Sequence, residues 1–146
     1  MTESKALQPW EIALSLVETP FLHLGRTRNG CDCVGMLIII ERERGNNPID
    51  LKVYSREAQG SNLLEQYLEK NCGPKLKPYE GYAVNDILLI QFPKHPFPSH
   101  VGMVVPHPHG LGIVHCYANV GQVVYHRIDP RWERRIRGVY RCPAKQ

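Results

Sequence analysis

The hydrophobic pattern of this chain changes period once, near Asp86, and that change limits the folds open to it. Upstream, apolar residues recur at helical spacing. Trp10, Ala13, Leu14, Leu16 and Val17 form one stripe, and Leu63, Leu64, Tyr67 and Leu68 another. Downstream come short β-rich runs at residues 87–92, 101–105, 113–117 and 123–126, with a last strand expected around 137–141. Gly and Pro clusters separate them. Helices first and an antiparallel meander after define an α+β fold, with N-terminal helices packed on an antiparallel β-sheet. At 146 residues, without internal repeats, one domain over 1–146 is expected.

The first helix is predicted over 9–18. It ends at Thr19-Pro20, because a residue before proline resists the α region. A polar loop, 24–30, leads to a second helix that begins near Cys33 and runs through Met36, Leu37 and Ile38–40 to Arg44, with Gly45 as its C-cap. Residues 46–60 read as loop, with Asn46-Asn47-Pro48 as a turn signal. A third helix, 62–70, stops at Gly73-Pro74.

Charge and composition exclude several classes. The net charge of +4 is mild, and much of it comes from Arg131, Arg134, Arg135, Arg137 and Arg141. Mixed with Trp132, Glu133 and Ile136, these arginines read as a solvated charged surface that can attract acidic polymers, with no specific nucleic-acid motif. Residues 1–10 lack an apolar stretch of the secretory type, so synthesis in the cytoplasm without a signal peptide is expected. The run at 38–40 is far too short for a membrane span. Five cysteines imply no disulfide framework, and free thiols are expected.

The chemistry gathers at Gly30-Cys31-Asp32-Cys33-Val34-Gly35, where a loop turns into an apolar helix. Asp32 suits an N-cap. A thiol at a helix N-terminus is expected to have a lowered pKa, since the free N–H groups and the macrodipole favour an anion. A histidine brought to this point would complete a cysteine nucleophile with its base. His100 and His115, each in a strand-like run, are the candidates. Cys31 competes with Cys33, and Asn119 is a fallback for the third polar position. Cys72, Cys116 and Cys142 read as structural. His107 and His109 flank Pro108 in a hairpin loop, and His23, His95 and His126 show no partner pattern. A zinc site from Cys31, Cys33, His107 and His109 has the wrong ligand spacing, and neither metal nor cofactor is expected.

These residues resemble the NlpC/P60 family of cell-wall cysteine peptidases. Thr19-Pro20-Phe21 and then Asp32-Cys33-Val34-Gly35 resemble its Thr-Pro-Tyr and Asp-Cys-Ser-Gly pieces. Asn85-Asp86-Ile87 resembles its Gly-Asp strand, and His100-Val101-Gly102-Met103 with Ile113-Val114-His115 its two histidine strands. The stretch 54–68 and the ending 132–141 resemble the phage and gene-transfer-agent branch of that family. The resemblance implies a papain-like fold, with Cys33 as nucleophile, His100 as general base and acid, and His115 orienting His100. It implies a substrate-binding role for Asp32, Phe21 and Val34, the latter two departing from the family's Tyr and Ser. It further implies a peptidoglycan stem peptide as substrate, cut between D-glutamate and the diamino acid. Tail hub or tip proteins of a virion would be its partners, and the cell wall in the periplasm its place of action. The departures at Phe21 and Val34 motivate a second reading, a weakly catalytic assembly domain of the tail. An amidase or acyltransferase on the same fold is a third.

Overall fold

The computed structural model describes residues 6–51 and 62–143. The α+β reading holds. Helices α1 (Pro9–Ser15), α2 (Cys33–Glu43) and α3 (Leu63–Cys72) precede a five-stranded antiparallel sheet. Its strands are β3 (Ile87–Ile90), β4 (His100–His107), β5 (Gly110–Tyr117), β6 (Gln122–Arg127) and β7 (Ile136–Tyr140), in the order β6-β5-β4-β3-β7. Among the described residues no helix is long and apolar enough to cross a membrane.

Helix α1 opens with Pro9, whose missing N–H costs nothing in a first turn, and Glu11 accepts from Gln8 N–H at 2.8 Å. It ends at Ser15, three residues before the predicted stop, in turns that carry Glu18 to a φ of 80°. Helix α2 is buried on every side from Val34 to Glu41, so it lies inside the core rather than on it. Its C-terminal end is anchored by Glu41, which accepts from Arg44 at 2.8 Å and from Asn46 at 2.7 Å.

The sheet separates two clusters by strand alternation. Ile87, Leu89, Val101, Met103, Val105, Val114, Cys116, Val123 and Tyr140 pack with the helices. Leu88, Ile90, Val104, Ile113 and Ile128 face the other way, under Phe92 and Trp132.

Three features depart from the sequence reading. The loop at 24–30 holds a small antiparallel ribbon, β1 (Arg26–Thr27) paired with β2 (Gly30–Cys31). Helix α3 runs on to Cys72. A four-residue helix α4, Pro130–Glu133, capped by Asp129 on Trp132 N–H at 2.9 Å, lies where only basic surface was expected. The stretch resembling the phage branch at 54–68 falls, up to residue 61, outside the described residues.

Candidate active site

Asp32 fixes the start of α2. One carboxylate oxygen accepts from Gly35 N–H at 2.8 Å and from Arg26 Nη1 at 2.9 Å, and the other accepts from Leu24 N–H at 2.9 Å. Arg26 is held in turn by Asp50 at 2.9 Å. Gly35 is required here, because a Cβ would run into the carbonyl oxygen of Gly25. Asp32, expected at the substrate, thus has a structural role at the start of α2. Its carboxylate is buried and accepts from three donors of its own chain. Val34, also expected at the substrate, is fully buried in the helix-side core. Phe21 is half-buried against that same core, and its segment is stitched to both neighbours: Phe21 N–H donates to Gly121 at 2.9 Å, and Cys31 N–H to Pro20 at 3.0 Å.

Cys33 is the first residue of α2. Asp32 takes Gly35 N–H with its side chain and Met36 N–H with its carbonyl, which leaves the N–H of Cys33 as an open donor of the first turn among the described residues. The sulfur lies against the amides of Val34 and of Val101, the residue after His100. The candidate nucleophile thus meets the backbone of β4 one residue from the candidate base. Among the described residues no hydrogen bond yet joins Cys33 to His100. The predicted lowering of the thiol pKa is overturned: burial first, and then the negative charge of Asp32, push it up to about 12, and the two amides offset only part of this. In the free protein Cys33 is a neutral thiol. Labelling of Cys33 by iodoacetamide, followed by peptide mass spectrometry, should therefore be slow at pH 7 and rise by about tenfold per pH unit to beyond pH 9. A plateau near neutrality would show instead a thiolate at rest.

The histidines form a line. His100 Nε2 lies 2.7 Å from His115 Nδ1, and His115 Nε2 lies 2.9 Å from His126 Nε2. His126 Nδ1 in turn lies 2.8 Å from the carbonyl oxygen of Arg127. Strand register places them. In the β4–β5 hairpin Met103 pairs with Val114, and in the β5–β6 hairpin Ile113 pairs with His126. The three imidazoles are thereby diagonal neighbours on one face of three adjacent strands. Gly102 makes the room, since a Cβ there would come within 3.0 Å of His115 Cβ. His126 is the residue that the sequence reading missed. The lengths of the two hairpins, with alternation, carry the signal that could have found it.

Burial holds His100 and His115 neutral. His100 is 5% exposed and its pKa is lowered by burial to about 3. His115 is fully buried and is lowered further, by burial and by its two imidazole neighbours. Aromatic rings seal the line: Phe92 lies 5.1 Å from His100, and Trp132 lies 5.0 Å from His115 and 4.8 Å from His126. Beside Phe92 opens a concavity of about 400 Å³ edged by Lys94, Arg131, Arg134, Arg135 and Arg137. There the Arg135 guanidinium stacks 4.8 Å over Trp132.

Cys31 is fully buried in β2, and its carbonyl accepts from the Cys116 thiol at 3.0 Å. His107 and His109 occupy the β4–β5 hairpin, away from both cysteines in the register. Among the described residues no group of three or more His, Cys, Asp or Glu side chains is placed to hold a metal ion.

This is the fold of NlpC/P60 domains. The chain superposes on the NlpC/p60 domain of the peptidoglycan hydrolase SagA with a TM-score of 0.56 and 16% identity, covering 90% of this chain and 94% of that one. It superposes on an NlpC/P60 family protein from Bacillus cereus with a TM-score of 0.62 and 14% identity, covering 96% of this chain but only 42% of that one. No family model matches the sequence, and no curated protein matches it.

Proposed function

We propose that this protein is a cysteine peptidase of the NlpC/P60 family that hydrolyses peptide bonds in peptidoglycan stem peptides. One observation carries the reading: a partly buried cysteine at the first position of a buried helix meets the start of the strand bearing His100, itself backed by a buried line of imidazoles. Cys33, His100 and His115 are its catalytic group. As the scissile carbonyl approaches, the Cys33 thiol gives its proton to His100 and the sulfur adds to the carbonyl carbon. The oxyanion faces the N–H of Cys33 at the helix start. His100 returns the proton to the leaving amine, the C–N bond breaks, and a thioester remains. Water, deprotonated by His100, attacks that thioester and frees the acid and the thiol.

The neutral rest state suits this order of events. A buried thiol and a buried imidazole exchange a proton only when developing charge on substrate and helix terminus stabilises the pair. Asp32 serves as a positioning residue through its hold on Gly35, Leu24 and Arg26. Phe21 contributes an apolar wall. The arginine-edged concavity offers a seat for the carboxylates of an acidic stem peptide.

The finer reading is cleavage between D-glutamate and the diamino acid, in a phage-tail or gene-transfer-agent component that opens the wall beside tail hub or tip proteins. It rests on the sequence resemblance, above all of the ending 132–141.

The test is digestion of purified Gram-negative peptidoglycan, read by mass spectrometry. Wild type is expected to release new stem-peptide fragments whose masses name the bond, and His100→Ala to release none. A folded wild type inert on several wall types would replace hydrolysis by a structural role in the tail.

A further inference from the structure

We infer that His126 is a positioning residue: anchored on the Arg127 carbonyl, it sets the tautomers of His115 and His100 so that His100 presents a bare Nδ1 to the thiol. The inference rests on the peptidase reading for its effect on rate, but its core is chemical. A carbonyl oxygen only accepts hydrogen bonds. His126 Nδ1, 2.8 Å from that oxygen, must therefore carry a hydrogen. In the ring with a single N–H, that hydrogen leaves His126 Nε2 as a lone pair. It faces His115 Nε2 at 2.9 Å, which must then be the donor. His115 Nδ1 is left as an acceptor, and His100 Nε2, 2.7 Å away, donates to it. The sequence closes on His100 Nδ1, which has no hydrogen and is the ring's remaining basic atom.

The opposite order would begin with a lone pair set against the Arg127 carbonyl, two acceptors 2.8 Å apart, and would end with an N–H on the atom that must take the thiol proton. Burial of His100 and His115 keeps solvent from supplying substitute partners. Once His100 is charged, its Nε2–H donates into a line of dipoles already aligned to receive it, which favours the imidazolium. His115 alone, with two equivalent nitrogens, would orient the ring of His100 without choosing its tautomer. The choice is made one strand further out.

The test uses the full chain with ¹⁵N-labelled histidine. Long-range ¹H–¹⁵N spectra near pH 7.5 should show His100 and His115 as Nε2–H tautomers and His126 as Nδ1–H. In His126→Leu, with circular dichroism unchanged, His115 loses its acceptor, and both buried rings should show mixed tautomers. The turnover number on peptidoglycan should fall by at least about tenfold with little change in KM. His126→Gln, whose amide oxygen can accept from His115, should restore most of the tautomer order and of the rate. Should His126→Leu fail to fold, His126→Gln and the wild-type spectrum still decide the matter. An Nδ1–H tautomer at His100 in wild type, or tautomers indifferent to both substitutions, overturns the inference. Ordered tautomers in a wild type that digests nothing would sustain the relay and sink the peptidase reading. Digestion with tautomers insensitive to His126 would do the reverse.

Discussion

On the proposed peptidase reading, Cys33→Ala is expected to abolish the release of stem-peptide fragments, a loss of about a thousandfold or more, while Cys31→Ala is expected to retain it. Loss of a covalent nucleophile leaves only the contributions of binding and oxyanion stabilisation, which accounts for the size of the effect. The two cysteines are separated by one residue, and the fold gives them opposite fates. Cys31 sits in a strand with its N–H given to Pro20, its carbonyl receiving Leu22 N–H and the Cys116 thiol, and no surface exposed. Its replacement empties a small volume in the core, a cost of about 1 kcal/mol or somewhat more, and the chain should still fold. Cys33 stands one cap residue later, at the helix start, where its sulfur meets the backbone of β4. The comparison is made by mass spectrometry of digests at matched concentrations of folded protein. Activity surviving in Cys33→Ala but not in Cys31→Ala would exchange their roles and reject the geometry argued here.

How far the sequence went is visible in the same few residues. The cap at Asp32 and the helix after it were legible because a capping carboxylate followed by an apolar run has few other uses. The strands of His100 and His115 were legible from their β-branched runs between Gly and Pro clusters. Even the resemblance of Asn85-Asp86 to a Gly-Asp pair has a physical basis. Asn85 sits at a φ of 80°, in the left-handed region that glycine enters freely and asparagine tolerates best among side chains.

The failures share a cause: each depended on what lies across space. The ribbon Arg26–Thr27 and Gly30–Cys31 has two residues a side, too few for any periodicity. The partners that bury Asp32, Arg26 and the amides of Leu24 and Gly35, gather only in the fold. The thiol pKa was read from the helix terminus alone, whereas burial and the neighbouring carboxylate outweigh it. His126 was passed over because its role exists only across two hairpins.

Acid should unfold this protein through His100 and His115. In the unfolded chain His100 and His115 titrate near the ordinary value of about 6.5. In the folded chain His100 is lowered by burial to about 3, and His115 is lowered further still. Above pH 6.5 neither state binds the protons and the difference costs nothing. Below it the unfolded state takes up protons that the folded state refuses, so stability is present above the unfolded pKa and is lost as pH falls toward the folded one. Each histidine contributes a slope approaching 1.4 kcal/mol per pH unit, so the pair removes roughly 2–3 kcal/mol between pH 7 and pH 5.5. Against a typical stability of about 5–15 kcal/mol that is a large fraction. Urea unfolding followed by circular dichroism should show the midpoint falling steeply over this range, and a His100→Gln, His115→Gln double variant should flatten the fall. An equal fall in the double variant would assign the acid sensitivity to other groups. The coupling has a functional consequence. Burial keeps His100 neutral across the whole neutral range, so the folded protein has no ionisation of that ring there. Activity lost on the acid side should therefore coincide with the unfolding transition at each pH, rather than follow a separate ionisation of His100 in the native protein.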